Sequence, residues 1–204
     1  MTRYCVLFVC ATICLQCSRA PRETETSAPL FVAVSPEYSG IRFMNTIKEN
    51  PVINYHNTKY IYNGAGVAIG DINNDGLPDI YFSSNIYSNK LYLNKGNLQF
   101  EDISRSADVE ASRGFKSGVA MVDLNGDGWL DIFVCRTSHP DPALRNNLVY
   151  INNQDGTFTE RSAEMGLNDQ SYTNQAVFFD YDNDGDIDIY LVNHPIDFDQ
   201  AIRV

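Results

Sequence analysis

A nine-residue acidic pattern occurs three times in this 204-residue chain and constrains its fold more than any other feature. The pattern places Asp or Asn at positions 1, 3, 5 and 9 and Gly at position 6, and its copies begin at Asp71, Asp123 and Asp180. These first aspartates lie 52 and then 57 residues apart. Repetition at this period indicates a chain that uses one small supersecondary unit several times.

Short apolar runs rich in β-branched and aromatic residues flank each acidic copy, and such runs are typical of β-strands. After the first two copies, residues 89–100 and 147–159 repeat a second arrangement, in which two apolar runs are joined by a turn that contains Gly. That arrangement predicts a β-hairpin. Each complete unit therefore predicts four strands in about 50 residues, which is the size of one β-propeller blade.

The predicted fold is all-β: a partial β-propeller of two and a half blades, each of four antiparallel strands, with calcium-binding loops. The units cover about residues 64–117, 118–174 and 175–204, and the third has only 25 residues from Asp180 to Val204. A propeller ring needs about four to eight blades. The sequence is therefore expected to be an N-terminal fragment of a longer chain, or else its partner blades come from elsewhere.

The spacing of the oxygen-bearing side chains predicts three metal sites. Alternate positions of a tightly turned loop converge on one point, glycine permits the sharp bend, and position 7 offers a backbone carbonyl. Ligands that are all oxygen favour calcium over zinc or copper, so about three Ca²⁺ ions are expected. The predicted ligands are Asp71, Asn73, Asp75, Leu77 and Asp79 in the first loop, Asp123, Asn125, Asp127, Trp129 and Asp131 in the second, and Asp180, Asp182, Asp184, Asp186 and Asp188 in the third.

The charge of the chain supports this prediction. Its formal net charge is −11, and the side-chain ligands at positions 1, 3, 5 and 9 carry ten negative charges. Carboxylates about 4 Å apart repel by about 1 kcal/mol per pair even in water, which a bound cation removes. A single copy could equally be a solvated turn, because Asp, Asn and Gly are common turn formers. An EF-hand is excluded, since its position 12 needs a carboxylate and the chain has Phe82, Val134 and Leu191 there.

Together, the three loops, the Gly-Val-Ala runs at 66–68 and 118–120, and the motifs Leu-Tyr-Leu-Asn (91–94) and Asp-Gly-Thr-Phe (155–158) resemble FG-GAP/VCBS repeats. They are most similar to the exported bacterial relatives of cartilage acidic protein, which often carry a C-terminal ASPIC/UnbV domain. The resemblance covers about residues 39–204. It implies a β-propeller of the integrin α-subunit kind, with calcium in the loop between the first two strands of each blade. The Phe-Gly and Gly-Ala-Pro signature that names the family is not spelled out.

The N-terminus predicts export. Arg3 precedes about a dozen apolar residues, which suit a signal peptide and are too few for a membrane-spanning helix. The Cys17-Ser18 junction resembles the lipidation site of bacterial lipoproteins, although Cys14 stands where those signals usually carry Leu. The predicted domains are thus a signal peptide with its lipidation cysteine (1–17), a polar tether (18–38) and the repeats (39–204). An outer-membrane or cell-surface lipoprotein is expected, and otherwise a periplasmic or secreted protein.

The sequence favours a binding module over an enzyme. No clustered Lys/Arg surface is visible that could bind nucleic acid, and no catalytic motif is recognisable. The expected role is adhesion or the binding of a protein or glycan at the cell surface, with a lipid anchor as the only membrane contact. The alternative is a propeller domain of a secreted hydrolase or lyase whose catalytic part lies outside this segment, because fold does not decide function.

Overall fold

The computed structural model describes residues 29–58 and 60–195. The predicted signal peptide, Cys17, most of the tether and the last nine residues lie outside this range. The chain divides into two compact units, Met1–Ala33 and Val34–Val204. The described residues of the first unit, 29–33, form no helix or strand and are exposed. No helix among the described residues is long and apolar enough to cross a membrane.

Over its described residues, 34–58 and 60–195, the second unit is almost entirely β in its regular structure. One α-helix, α1 (Pro36–Ser39), is capped by the Ser35 side chain and ends at Gly40, and one 3₁₀ turn covers Pro142–Leu144. The strands are β1 (Val67–Gly70), β2 (Asp79–Phe82), β3 (Lys90–Asn94), β4 (Phe100–Asp102), β5 (Phe115–Val122), β6 (Asp131–Thr137), β7 (Leu148–Asn152), β8 (Phe158–Glu160), β9 (Tyr172–Phe179) and β10 (Asp188–His194).

These strands form three antiparallel sheets in which neighbours in sequence are neighbours in space. The first sheet has the order β1-β2-β3-β4, the second β5-β6-β7-β8, and the third pairs β9 with β10. The predicted hairpins β3-β4 and β7-β8 turn at Gly96 and Gly156, whose φ angles of 81° and 86° suit glycine. The all-β prediction, with four strands in each of the first two units, is therefore confirmed.

Two apolar layers join consecutive sheets. Between the first and second sheets, Tyr81 and Leu91 pack with Ile132 and Val134 in one buried cluster. Between the second and third sheets, a second cluster includes Phe133, Cys135 and Ala176. Alternate residues of β6 thus serve opposite layers, because successive side chains of a strand point to opposite faces. The buried Cys135 is a free thiol whose pKa burial raises to about 12.

The first strands of the sheets approach one another closely at two glycines. A Cβ at Gly66 would lie 2.7 Å from the Val119 nitrogen, and a Cβ at Gly118 would lie 2.5 Å from the Asn174 carbonyl oxygen. Any side chain at either position would push two sheets apart. The glycine of each Gly-Val-Ala run is therefore set by sheet-to-sheet packing.

Between Gly40 and Gly66 no described residue lies in a helix or strand, yet this segment is well anchored. We call residues 41–64 the N-terminal strap. Asn45 donates to the Asn85 side chain at 2.6 Å, on the β2-β3 loop of the first sheet. Thr58 donates to the Ser138 carbonyl, just after β6, and the Tyr60 ring lies 5.0 Å from that of His194 in β10. The strap therefore touches all three sheets.

Candidate metal-binding loops

Each acidic pattern lies in the loop that joins the first two strands of its sheet. Residues 71–78 connect β1 to β2, residues 123–130 connect β5 to β6, and residues 180–187 connect β9 to β10. Because each sheet begins with the same kind of antiparallel strand pair, the loops occupy equivalent places in the repeat. The prediction that these loops join β-strands is confirmed.

The aspartate at position 1 organises each turn. Asp71 accepts from the backbone N–H of Asp75 at 3.1 Å and of Gly76 at 2.7 Å. Asp123 accepts in the same way from the N–H groups of residues 126, 127 and 128, at 2.8–3.1 Å. Asp180 accepts from the Gly185 N–H at 3.1 Å. In the first two loops one carboxylate thus gathers several backbone donors and bends the loop around itself, and in the third it holds the Gly185 N–H in the same way.

Position 6 has the backbone geometry for which glycine was expected. Gly76, Gly128 and Gly185 have φ angles of 83°, 84° and 96°, in the left-handed region that other residues rarely adopt. A side chain at this position would strain the turn. At position 5, Asp75 and Asp127 accept from the N–H of position 7 at 2.8 and 2.9 Å, so that residue is held to the loop by its backbone.

The aspartate at position 9 has a structural role that the sequence did not reveal. Asp79 accepts from the Ile72 N–H at 2.9 Å and from the Asn94 N–H at 2.7 Å. Asp131 repeats this arrangement with Leu124 at 3.0 Å and Asn152 at 2.8 Å. Each carboxylate therefore fixes both the start of its loop and the end of the third strand of its sheet. Burial raises the pKa of Asp79 and Asp131, and these N–H donors offset part of that effect.

The asparagines that end β3 and β7 complete this link. Asn94 donates from its side chain to the Pro78 carbonyl at 2.8 Å. Asn152 donates to the carbonyls of Ile72 at 2.8 Å and Leu130 at 3.1 Å, so it bridges the first two acidic loops. Both hairpins end their first strand in Asn, but these asparagines follow Asp79 and Asp131 by different distances, 15 and 21 residues, so the sequence alone does not reveal the link.

The third loop concentrates carboxylates most closely. Asp180, Asp182 and Asp188 each offer one oxygen, and these three atoms lie within 4.8 Å of one another. Across the described residues, no other group of three His, Cys, Asp or Glu side chains meets this criterion. Three carboxylate oxygens are hard donors, which fit calcium better than zinc or copper. This donor set therefore fits the predicted ion.

The remaining aspartates of the third loop interact with each other. Asp184 accepts from the Asp186 backbone N–H at 3.1 Å, which lowers the pKa of Asp184. The Asp184 carboxylate also raises the pKa of the Asp186 side chain, through a hydrogen bond and charge repulsion. The structure thus brings together positions 1, 3 and 9 of this loop and directs position 5 to the backbone of position 7. In the first two loops, Asn73 and Asn125 instead donate at 3.0 Å to Asp75 and Asp127.

A family model described as "FG-GAP-like repeat" matches residues 71–134 and 137–191. These two stretches together cover more than half of the chain and contain all three acidic loops. The chain belongs to the FG-GAP-like repeat family. Such repeats indicate a repeat module of an extracellular or secreted protein.

Among curated proteins, the chain is similar to Cartilage acidic protein 1 of Xenopus tropicalis, with 30% identity over 131 residues. It is also similar to Cartilage acidic protein 1 of Mus musculus and of Homo sapiens, each with 28% identity over 131 residues. The alignment covers 64% of this chain and about a fifth of each relative. The resemblance predicted from the motifs is thus confirmed, for a segment much shorter than the relatives.

Proposed function

We propose that the chain is part of a calcium-binding extracellular module that binds a protein or glycan at the cell surface. The observation that carries the proposal is the third acidic loop, where three carboxylate oxygens lie within 4.8 Å of one another. At that separation each pair repels by about 1 kcal/mol even with the dielectric constant of water. A divalent cation bound between these oxygens would replace this repulsion by attraction to the ion.

We propose the same kind of calcium site in the first two loops. Their position 1 and position 9 carboxylates have places equivalent to those of the third loop, between the first two strands of a sheet. Each has Asn at position 3, so its side-chain ligands at positions 1, 3, 5 and 9 carry one negative charge fewer than those of the third loop. Fewer charges give weaker calcium binding. The third loop is therefore the tightest of three sites.

Consecutive sheets of this chain are arranged as blades of a β-propeller. Support comes from the four-stranded meanders of the first two sheets and from the close contacts of β1 with β5 and of β5 with β9 at glycines. A closed ring of about four to eight blades would need further blades of the same kind. Loops at one end of such blades hold calcium, which leaves other surfaces for a ligand.

We propose that this segment binds a ligand and does not catalyse a reaction. The closest grouping of carboxylates in the described residues lies in a loop whose chemistry suits a metal ion. Glycosidases need a carboxylate pair free to act as acid and base. A panel of hydrolase and lyase substrates, tested on the full-length protein, checks this role. Turnover that disappears on changing a residue outside the acidic loops, with the fold retained, would establish the enzyme alternative.

Calcium binding is tested by melting and by calorimetric titration. An ion that binds only the native state at ten times its dissociation constant stabilises it by about 1.4 kcal/mol per site, so adding EGTA should lower the melting temperature. Asp184→Ala and Asp182→Ala should weaken binding at the third loop, since the sequence assigns both side chains to the ion. Asp186→Ala is the matched control, because position 7 is expected to contribute only its backbone carbonyl. An unchanged melting temperature on chelation, or equal losses in all three variants, would refute the site.

A further inference from the structure

A cavity of about 520 Å³ lies on the first sheet, outside the acidic loops. One wall is the N-terminal strap, through Arg42, Phe43 and Thr46; another is the β2-β3 loop, through Tyr87 and Ser88; and the floor is formed by β3 and β4. Its volume is within the range of about 300–1,000 Å³ that is usual for small-molecule sites. None of its lining residues belongs to the predicted metal sites.

The cavity has a net positive charge, whereas the molecule as a whole has a net negative charge. Arg42, Lys90 and Asp102 line it, which leaves one net positive charge in a chain whose formal charge is −11. The Lys90 ammonium pairs with Asp102 at 2.8 Å. The Arg42 guanidinium makes no ion pair or side-chain hydrogen bond with any described residue. The Arg42 guanidinium is therefore free to pair with an anionic group of a ligand.

The backbone beside this guanidinium is fixed. The Arg42 N–H donates to the Tyr92 hydroxyl at 3.2 Å, and Tyr92 is buried. The next residue, Phe43, stacks on Phe82 with ring centroids 4.7 Å apart and planes 12° apart. The strap therefore holds Arg42 at the rim of the cavity, so that less conformational freedom is lost when a ligand binds.

The rest of the lining combines an aromatic ring with hydroxyl groups. Phe43 lines the cavity, and its ring is held in place by the stack on Phe82. Ser88 and Thr46 also line it, and neither hydroxyl makes a hydrogen bond to another described residue. Tyr87 adds a half-exposed phenol. An aromatic face with several free hydroxyls suits a ring that carries many hydroxyls of its own.

We propose that this cavity binds a carboxylate-bearing saccharide unit of the uronic acid type, with its carboxylate on Arg42 and its ring beside Phe43. The inference deepens the proposed binding role and rests on it. Arg42 supplies the charge-assisted hydrogen bonds that select an acidic sugar, because a guanidinium matches the planar carboxylate. The hydroxyls of Ser88, Thr46 and Tyr87 supply partners for the sugar hydroxyls.

The test uses the full chain with calcium present and a matched pair of ligands, methyl β-D-glucuronide and methyl β-D-glucoside, which differ only at C6, a carboxylate in the first and a hydroxymethyl group in the second. Ligand-observed NMR titration should give a dissociation constant on the order of 1 mM for the glucuronide. The glucoside should bind about tenfold more weakly or worse. Arg42→Gln should remove that preference, and Lys95→Gln, which removes an exposed lysine outside the cavity, should preserve it.

Several outcomes would overturn the inference. A uronate site would be excluded if the two glycosides bound equally, or if Arg42→Gln and Lys95→Gln had equal effects. It would also be excluded if acetate bound with the same affinity as the glucuronide. Binding of an acetylated Gly-Glu-Gly amide peptide in place of the glucuronide would assign the cavity to acidic protein side chains. Melting with and without EGTA is measured on the same samples. A calcium-dependent melting temperature without glucuronide binding would refute this inference alone, and loss of both would refute the proposed function as well.

Discussion

Two aspartates of the acidic loops combine the spacing of a metal ligand with a structural role in the sheet. Asp79 and Asp131 have the spacing of metal ligands, and in the structure both oxygens of each accept backbone N–H groups. The ligand spacing was predictable because it is local. The partners in the third strand of each sheet, Asn94 and Asn152, were not, because they lie 15 and 21 residues away from these aspartates. Sequence periodicity does not reveal which distant N–H a carboxylate meets.

The structural role of these contacts can be tested at Asn152. Asn152→Ala removes the side-chain amide that donates to the carbonyls of Ile72 and Leu130. Both carbonyls then lose this hydrogen bond. An unsatisfied buried polar group costs about 1–3 kcal/mol, so the free energy of unfolding in urea should fall by about that amount. Asn153→Ala is the control, because Asn153 is exposed and its side chain bonds within its own hairpin. Equal losses in the two variants would contradict the bridging role.

At the scale of elements, strand β5 contains a residue that hydrophobic patterning does not explain. Lys116 is fully buried, and its ammonium donates to the carbonyls of Tyr87 at 2.8 Å and Gly114 at 3.3 Å. Its backbone also pairs with Asn85, so this end of β5 is bound to the β2-β3 loop of the first sheet. A lysine in a strand is normally expected on the solvent face, and only the packed sheets show that this one connects two of them.

Burial lowers the pKa of Lys116 from 10.5 to about 7 in the folded protein. Between these two values the unfolded chain binds more protons than the folded chain, so stability rises with pH. From pH 7 to pH 8.5 the gain from this group should be about 1.5 kcal/mol. The raised pKa of Cys135, from 9.0 to about 12, begins to oppose the trend at the upper end of this range, and that of Tyr150 does so only at higher pH.

Urea unfolding of Lys116→Met at these two pH values checks this expectation. The variant should lack the gain, whereas Lys95→Met, at an exposed lysine, should retain it. The same pH dependence in the wild-type protein and Lys116→Met would show that another group causes it.

At the scale of the whole molecule, the sequence predicted the all-β class, the strand order within each unit and the family, because each rests on a repeated local pattern. It did not predict the path of the N-terminal strap. That segment has no hydrophobic period, and it is anchored by Asn45, Thr58 and Tyr60 to residues far along the chain. Irregular segments of this kind are specified by tertiary contacts, which a single sequence does not display.

The predicted anchor is also tested on the whole molecule. The apolar leader and the Cys17-Ser18 junction predict that the mature chain begins at a diacylated Cys17. Mass spectrometry of the protein from its native host should detect that modified N-terminal peptide. Cys17→Ser should release the protein from the membrane fraction. Recovery of an intact Met1 on a soluble cytoplasmic species would show that the prediction is wrong.

The anchoring of the strap has a consequence for the order of events during synthesis. The strap leaves the ribosome before any strand, but the residues that hold it come 40, 80 and 134 positions later, at Asn85, Ser138 and His194. At about 5–20 residues per second, the last of these partners emerges roughly 7 to 27 s after Tyr60. The strap therefore completes its contacts only after most of this unit has been translated, and its Tyr60 end stays accessible to chaperones and proteases throughout that interval.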